Sequence, residues 1–199
     1  MRAVRLAFLA LALVAIPQLL HAQRLRPGIA EVDRSDRGGF WASLSLGAGE
    51  EQVNLSGDNF GYSDAITRPI VGLKLGGTIG HRLRLGGEYL ALFNDSRAAV
   101  ETISHLGIVA QYYPLARAGF FLKGGVGLAR SGVDYDFGGS VADYGVSATV
   151  GLGWEARIAR HFYIVPAVDA MIQSYSPTGP GYTERIAGLS VGILYQHGH

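Results

Sequence analysis

The sequence predicts an all-β fold, an eight-stranded antiparallel up-and-down transmembrane β-barrel. Three observations predict it. The chain is apolar, with 48% of its 199 residues hydrophobic and 17% charged. Yet beyond Gln23 no run approaches the ~18–20 apolar residues that a membrane helix needs. From Gly39 onward the apolar residues recur with period two, the period of a strand, and not 3.6. The positions between them are rich in glycine, which numbers 29 in the chain, twice the usual ~7%. Other classes fall away on composition. Absence of cysteine excludes a disulfide scaffold and thiolate zinc sites. A net charge of +1 gives no footing for nucleic acid.

The chain divides into three parts. Residues 1–22 read as a secretory signal peptide: Arg2 and Arg5, the apolar core Leu6–Ile16, then Pro17 and a small residue, Ala22, at the cleavage point. Cleavage there removes two of the 17 basic residues and takes the net charge from +1 to −1. No cysteine follows the core, so a lipoprotein anchor is not expected. Residues 23–38 form a polar leader with Pro27, Gly28, Arg34, Asp36 and Arg37. Residues 39–199 are the barrel.

Eight alternating segments follow in order. The first sets Phe40, Ala42, Leu44, Leu46 and Ala48 against Trp41, Ser43, Ser45, Gly47 and Gly49. The second sets Val71, Leu73, Leu75 and Ile79 against Gly72, Lys74, Gly76 and Thr78. In the third, Leu83, Leu85, Tyr89, Ala91 and Phe93 oppose Arg84, Gly86, Glu88, Leu90 and Leu92. In the fourth, Leu106, Ile108, Ala110 and Tyr112 oppose His105, Gly107, Val109, Gln111 and Tyr113. The fifth carries Phe120, Leu122, Val126 and Leu128 against Phe121, Lys123, Gly125 and Gly127. The sixth runs Tyr144 to Trp154 on one face and Gly145 to Glu155 on the other. The seventh sets Phe162, Ile164, Pro166, Val168, Ala170 and Ile172 against Tyr163, Val165, Ala167, Asp169 and Met171. The eighth sets Leu189, Val191, Ile193 and Tyr195 against Gly188, Ser190, Gly192 and Leu194.

The polarity of the faces decides which one points inward. A soluble ligand-binding barrel turns its bulky apolar face inward. Here the second face holds the small residues and the lysines, too small to fill a greasy cavity. A continuous apolar face over eight segments calls for an apolar solvent outside, and a closed barrel satisfies every backbone group in lipid. Small lumen residues let a narrow barrel close. The connections are expected to alternate. Glu50–Arg68, Asn94–Glu101, Ser131–Asp143 and Ser174–Arg185 read as long, and Gly80–Arg82, Pro114–Ala118 and Ala156–Arg160 as short. That is the asymmetry of outer loops and periplasmic turns. Phe40, Tyr112, Phe120, Trp154, Phe162 and Tyr195 fall at the ends next to the short turns, as one aromatic girdle. Tyr89, Phe93 and Tyr144 lie toward the other side.

On these features, and on the last strand Gly188–Tyr195 (GLSVGILY), the chain resembles the small eight-stranded outer-membrane barrels of Gram-negative bacteria, the OmpA-like and OmpX-like group. The resemblance covers Gly39 to Tyr195. It implies a porin-like barrel of the cell envelope, resident in the outer membrane after export through the periplasm. Its partners would be outer-membrane lipids and lipopolysaccharide, and the barrel-assembly machinery, which would read the C-terminal strand. The group commonly ends on an aromatic residue, whereas Gln196–His199 follows Tyr195 here. The resemblance does not extend to a peptidoglycan-binding domain.

Candidate chemistry is concentrated on the lumen face. Lys74, Arg84, Glu88, Lys123, Glu155 and Asp169 share one narrow interior, where charges must be paired or hydrated. The expectation is a salt-bridge network of Lys74 and Lys123 with Glu88, Glu155 and Asp169, and such networks plug the lumen in the similar proteins. Gly151–Ala156 (GLGWEA) matches a dinucleotide fingerprint, but the next strand starts near His161 and leaves no room for a crossover helix. Ser104 and His105 are adjacent on a strand and face opposite ways, so they are no nucleophile–base pair. His105 is expected among the lumen hydrogen bonds. His197 and His199, or Asp134 and Asp136, are too few ligands for a metal site. The long connections are acidic (Glu50, Glu51, Asp58, Asp64, Asp95, Glu101, Asp134, Asp136, Asp143 and Glu184). Their basic residues are Arg68, Arg97, Arg130 and Arg185, whereas the short turns hold Arg82, Arg117, Arg157 and Arg160. An acidic outer surface favours divalent cations or basic partners. The reading is a monomeric, non-enzymatic surface barrel without cofactor or metal. A lipid-modifying enzyme or a small pore is the alternative.

Overall fold

The period-two pattern is realised as a ring of strands. The computed structural model describes residues 37–55, 61–96, 99–115, 118–176 and 181–197. The signal peptide, nearly all of the leader, and Asp58, Arg97, Arg117 and His199 lie outside the described residues. The strands are β1 (Phe40–Leu55), β2 (Ile66–Gly80), β3 (Leu83–Ser96), β4 (Ala99–Tyr112), β5 (Phe120–Tyr135), β6 (Ser140–Trp154), the two-residue β7 (Ala156–Arg157), β8 (Phe162–Tyr175) and β9 (Tyr182–Gln196). Each long strand pairs antiparallel with its sequence neighbour, β1 pairs with β9, and β6 pairs with β8. The eight long strands therefore close on themselves, and β7 caps the edge of β8. Closure removes the open sheet edge, whose unpaired backbone groups would be costly in lipid.

Alternation decides the two faces. On β4 and β5, Ile108 and Val126 are 68% and 66% exposed on the outer wall, whereas His105 is fully buried inside. One irregularity keeps the faces aligned. A bulge between Thr78 and Gly80 shifts the β2–β3 register by one residue, so that Lys74 lies opposite Glu88 with both inside. Without it one strand would turn its lumen face outward.

The loop lengths differ from those expected. Asn94–Glu101, expected as a long connection, is mainly strand: Asn94 pairs with Glu101 and Ser96 with Ala99. Ser131–Asp143 is likewise paired up to Asp134 and Ser140, and Ser174–Arg185 up to Tyr175 and Tyr182. β1 runs on to Leu55, still paired with β9. The strands thus project beyond the apolar band. Both faces of these extensions carry polar residues, so hydrophobic period gives no sign of them, yet their backbone groups still seek ladder partners. The connections at the opposite rim, which holds Phe40 and Gln196, are not uniformly short. Only His81 and Arg82 separate β2 from β3, but seven residues, Tyr113–Gly119, separate β4 from β5. The rim with Phe40 and Gln196 is called the terminal rim below, and the other the far rim.

Candidate functional site in the barrel lumen

The lumen is filled in layers. At the terminal rim Arg84, fully buried, donates to the Tyr113 hydroxyl (2.7 Å), to the Glu155 carboxylate and to the Gln196 side-chain oxygen. Tyr113 also donates to Glu155 (2.6 Å). Arg37 joins them: it stacks 3.9 Å above the Tyr113 ring, approaches Glu155 at 3.8 Å and donates to the Ala118 carbonyl. The next layer is apolar, formed by Trp41, Val109, Phe121, Val165 and Leu194.

A second charged layer occupies mid-barrel. Glu88 accepts from Lys123 (2.6 Å) and from Thr149 (3.2 Å), and pairs with Lys74 at 3.4 Å. Lys123 also pairs with Asp169 at 2.8 Å. Asp169 reaches it across β6 because the residue between them is Gly151; a Cβ there would lie 2.2 Å from the Asp169 Oδ1. His105 Nδ1 is 2.6 Å from Ser147 Oγ, and Nε2 is 3.9 Å from Glu88. The imidazole lies over Gly107 and Gly127; a Cβ on either would come within 2.8 Å of its Cε1. Above this layer sits a second apolar one: Ile70, Leu90, Leu92, Ile103, Met171 and Ile186.

The far rim closes with a third polar group. Arg68 pairs with Glu51 and with Glu101 (2.8 Å). The Tyr175 hydroxyl lies 3.0 Å from Glu184 and 2.6 Å from Gln173, whose amide donates to the Ser104 carbonyl (3.2 Å). These residues stand above the apolar band, which ends where the outer face turns charged at Glu50 on β1 and Arg185 on β9. Burial, and then the nearby Glu51 charge, push the Glu184 carboxyl up to about 7 against the Tyr175 contact and the Arg68 charge. Burial also raises the Glu51 carboxyl, opposed by Arg68.

The six lumen charges named from the sequence therefore divide into two groups. Lys74, Glu88, Lys123 and Asp169 meet in mid-barrel. Glu155, expected with the lysines, pairs instead with Arg84 and Arg37. Glu155 stands just beyond the last residue of β6, and Arg84 is the second residue of β3, so both belong to the terminal rim. Sequence period fixes a residue's face but not its height. Arg37, assigned to the leader, is buried in the barrel end. Tyr113 lies on the face that alternation assigns to the lumen, and Gln196, read as following the last strand, continues the inward phase of β9; Arg37 has no periodic signal. The six aromatics expected as a girdle lie at the terminal rim, where Phe120 is in register with Trp154 and Phe162 with Tyr195, the latter rings 5.4 Å apart.

Ser147, His105 and Glu88 stand in the order of nucleophile, base and carboxylate. The order does not make an active site. His105 and Glu88 are sealed between two apolar layers, and the Glu88 carboxylate is committed to two ammonium groups. Ser104 faces the outer wall and His105 the lumen, so that adjacent pair is divided. Gly151–Trp154 of the GLGWEA run is strand, with no helix following.

The model of the family described as outer membrane protein beta-barrel domain matches residues 6–193. Among solved structures, the chain is similar to the crystal structure of Neisserial surface protein A, with 15% identity and a TM-score of 0.55 over 80% of this chain and 97% of that one. It is similar also to Ail, the attachment invasion locus protein of Yersinia pestis, with 15% identity and a TM-score of 0.52 over 79% of this chain and 99% of that one. At such identity the likeness is one of fold. No curated protein sequence matches the chain significantly.

Proposed function

The chain belongs to the outer membrane protein beta-barrel domain family, and on that premise we propose that it is a non-enzymatic, monomeric surface barrel with a plugged lumen. It would be made with a signal peptide cleaved after Ala22 and inserted by the assembly machinery through β9. One observation carries the reading: buried side chains fill the lumen at every level, with three charged layers, one at each rim and one in mid-barrel, alternating with two apolar ones. A filled interior leaves the extracellular strand ends as the part that can meet a partner. Those ends are acidic. Glu50, Asp64, Asp95, Asp134 and Asp136 are all exposed, and Asp136 stands beside Phe137, which is 96% exposed at the β5–β6 tip. Such a surface favours cationic partners and divalent ions, at short range in physiological salt.

The test uses the full mature chain in proteoliposomes with an oligolysine peptide as probe. Wild type is expected to bind it in a salt-sensitive way, and D95N/D134N/D136N to bind at least five-fold less. Equal binding by the two would overturn the surface role. A change in lipid A mass profile between cells with and without the chain would overturn the non-enzymatic reading.

A further inference from the structure

The outer wall is not smooth. A trough of about 690 Å³ crosses β4, β5, β6 and β8 on the lipid-facing side. Two registered rows line it: Ile108, Val126, Ala148 and Ile172, and beside them Leu106, Leu128 and Val146. Ala148, between Val126 and Ile172, is the smallest side chain in its row and leaves the hollow. The lining is almost wholly apolar, and its setting is the hydrocarbon of the outer membrane.

Two arginines border this trough on the same outer face. Arg130 is two residues beyond Leu128 on β5, and Arg185 is in register with Ile172 on β9. Their heights agree. Registered rows climb from β4 toward β9, as the row Tyr112, Leu122, Leu152, Val168, Leu189 runs from a strand end to mid-strand. Arg185 gains height by lying three strands further along its row. Arg130 gains it by lying four residues up its own strand from Val126. At ~4.8 Å per strand and ~3.3 Å per residue, with strands inclined by about 45°, the gains match and the two Cα atoms are roughly 20 Å apart along the wall.

Arg130 is half-buried and Arg185 exposed, and among the described residues neither guanidinium is held in an ion pair as those of the buried arginines are. Arg37, Arg68 and Arg84 each pair with a carboxylate. Among the described residues Arg130 and Arg185 pair with none, although Glu50 is exposed on β1, two residues along from Gln52, which is opposite Arg185. The Arg130 head is folded over Gly132, toward the extracellular rim, where a Cβ would come within 3.0 Å of it. Arg185 lies 4.0 Å above the Tyr62 ring. Tyr144, in register with Arg130 and 69% exposed, adds a phenol at the same border. Long cationic side chains turned up from an apolar wall sit at headgroup depth, and guanidinium forks suit phosphate.

We propose that the trough and its two arginines bind a phosphate-bearing, multiply acylated lipid of the outer leaflet, acyl chains along Val126–Ala148–Ile172 and phosphate at Arg130 and Arg185. It rests on the outer-membrane barrel reading and gives a place to the lipid partner that the resemblance implies. It is independent of the acidic tips, so their test and this one fail separately.

The test is native mass spectrometry of the refolded full mature chain released from detergent, with lipid A as probe. Wild type is expected to retain one lipid A per barrel, and dephosphorylated lipid A at least ten-fold less. R130Q/R185Q should lower lipid A retention at least ten-fold, and R130K/R185K should keep most of it. A148F, which fills the hollow, should lower it without touching the charges. R160Q, at the periplasmic rim, should leave it unchanged. Heat-dependent gel mobility reports that each variant is folded. Equal retention by R130Q/R185Q and wild type, equal retention of the dephosphorylated lipid, or an equal loss in R160Q would overturn the proposal.

Discussion

Replacing Glu88 by alanine tests the mid-barrel layer most sharply. Glu88 is 1% exposed and holds Lys123 at 2.6 Å and Lys74 at 3.4 Å. Lys123 keeps Asp169 at 2.8 Å, but Lys74 loses its one direct ion pair among the described residues. At an effective dielectric of about 20, the Lys74–Glu88 attraction at this distance is about 5 kcal/mol before desolvation. Much of that is already offset by the cost of burying both charges. Leaving a buried charge without its partner costs about 3–5 kcal/mol, and E88A is expected to lose that much. K74M/E88L removes both charges at similar volume and is expected to lie within about 1.5 kcal/mol of wild type. The assay is reversible urea unfolding in lipid vesicles, followed by tryptophan fluorescence. Trp41 stands in the lumen layer beneath the network and Trp154 on the outer wall. An E88A barrel within 1 kcal/mol of wild type, or a K74M/E88L barrel as weak as E88A, would show that Glu88 does not hold the two lysines in this way.

Other expectations follow from the same geometry. Glu184 binds its proton more tightly when folded than when unfolded, so its contribution to stability is complete below pH ~4.5 and is lost as pH rises through about 7. That loss is about 3 kcal/mol at ~1.4 kcal/mol per unit. E184Q mimics the protonated form and should therefore stabilise the barrel at pH 8 and do little at pH 4.5; urea midpoints at the two pH values report it. Val126→Arg places a charge on the lipid face and should cost about 2–4 kcal/mol in vesicles. If instead V126R were tolerated like a surface change in water, the outer wall would not be facing lipid.

Much of the barrel is written in the chain. Lys74 and Glu88 could be assigned to the lumen because every second neighbour is apolar and only one face can be wet. That argument stops at the face. Which lumen residues share a level depends on strand stagger, and stagger depends on details such as the one-residue bulge at Thr78–Gly80. Glu155 shows the consequence: it has the right face and the wrong height to meet the lysines. Residues above the apolar band were hidden for another reason. Asn94, Glu101 and Ser131 look like loop because water is acceptable on both faces there, yet the ladder continues through them. Arg37 lies outside any periodic segment, and only folding brings it over Tyr113.

This outer-membrane barrel is filled by its own side chains from rim to rim. Single-channel recording of the full mature chain in planar bilayers tests it most directly, with insertion checked by heat-dependent gel mobility. The layered lumen predicts a flat baseline with no steady conductance at neutral pH. Regular ohmic steps from the folded wild-type barrel would contradict it.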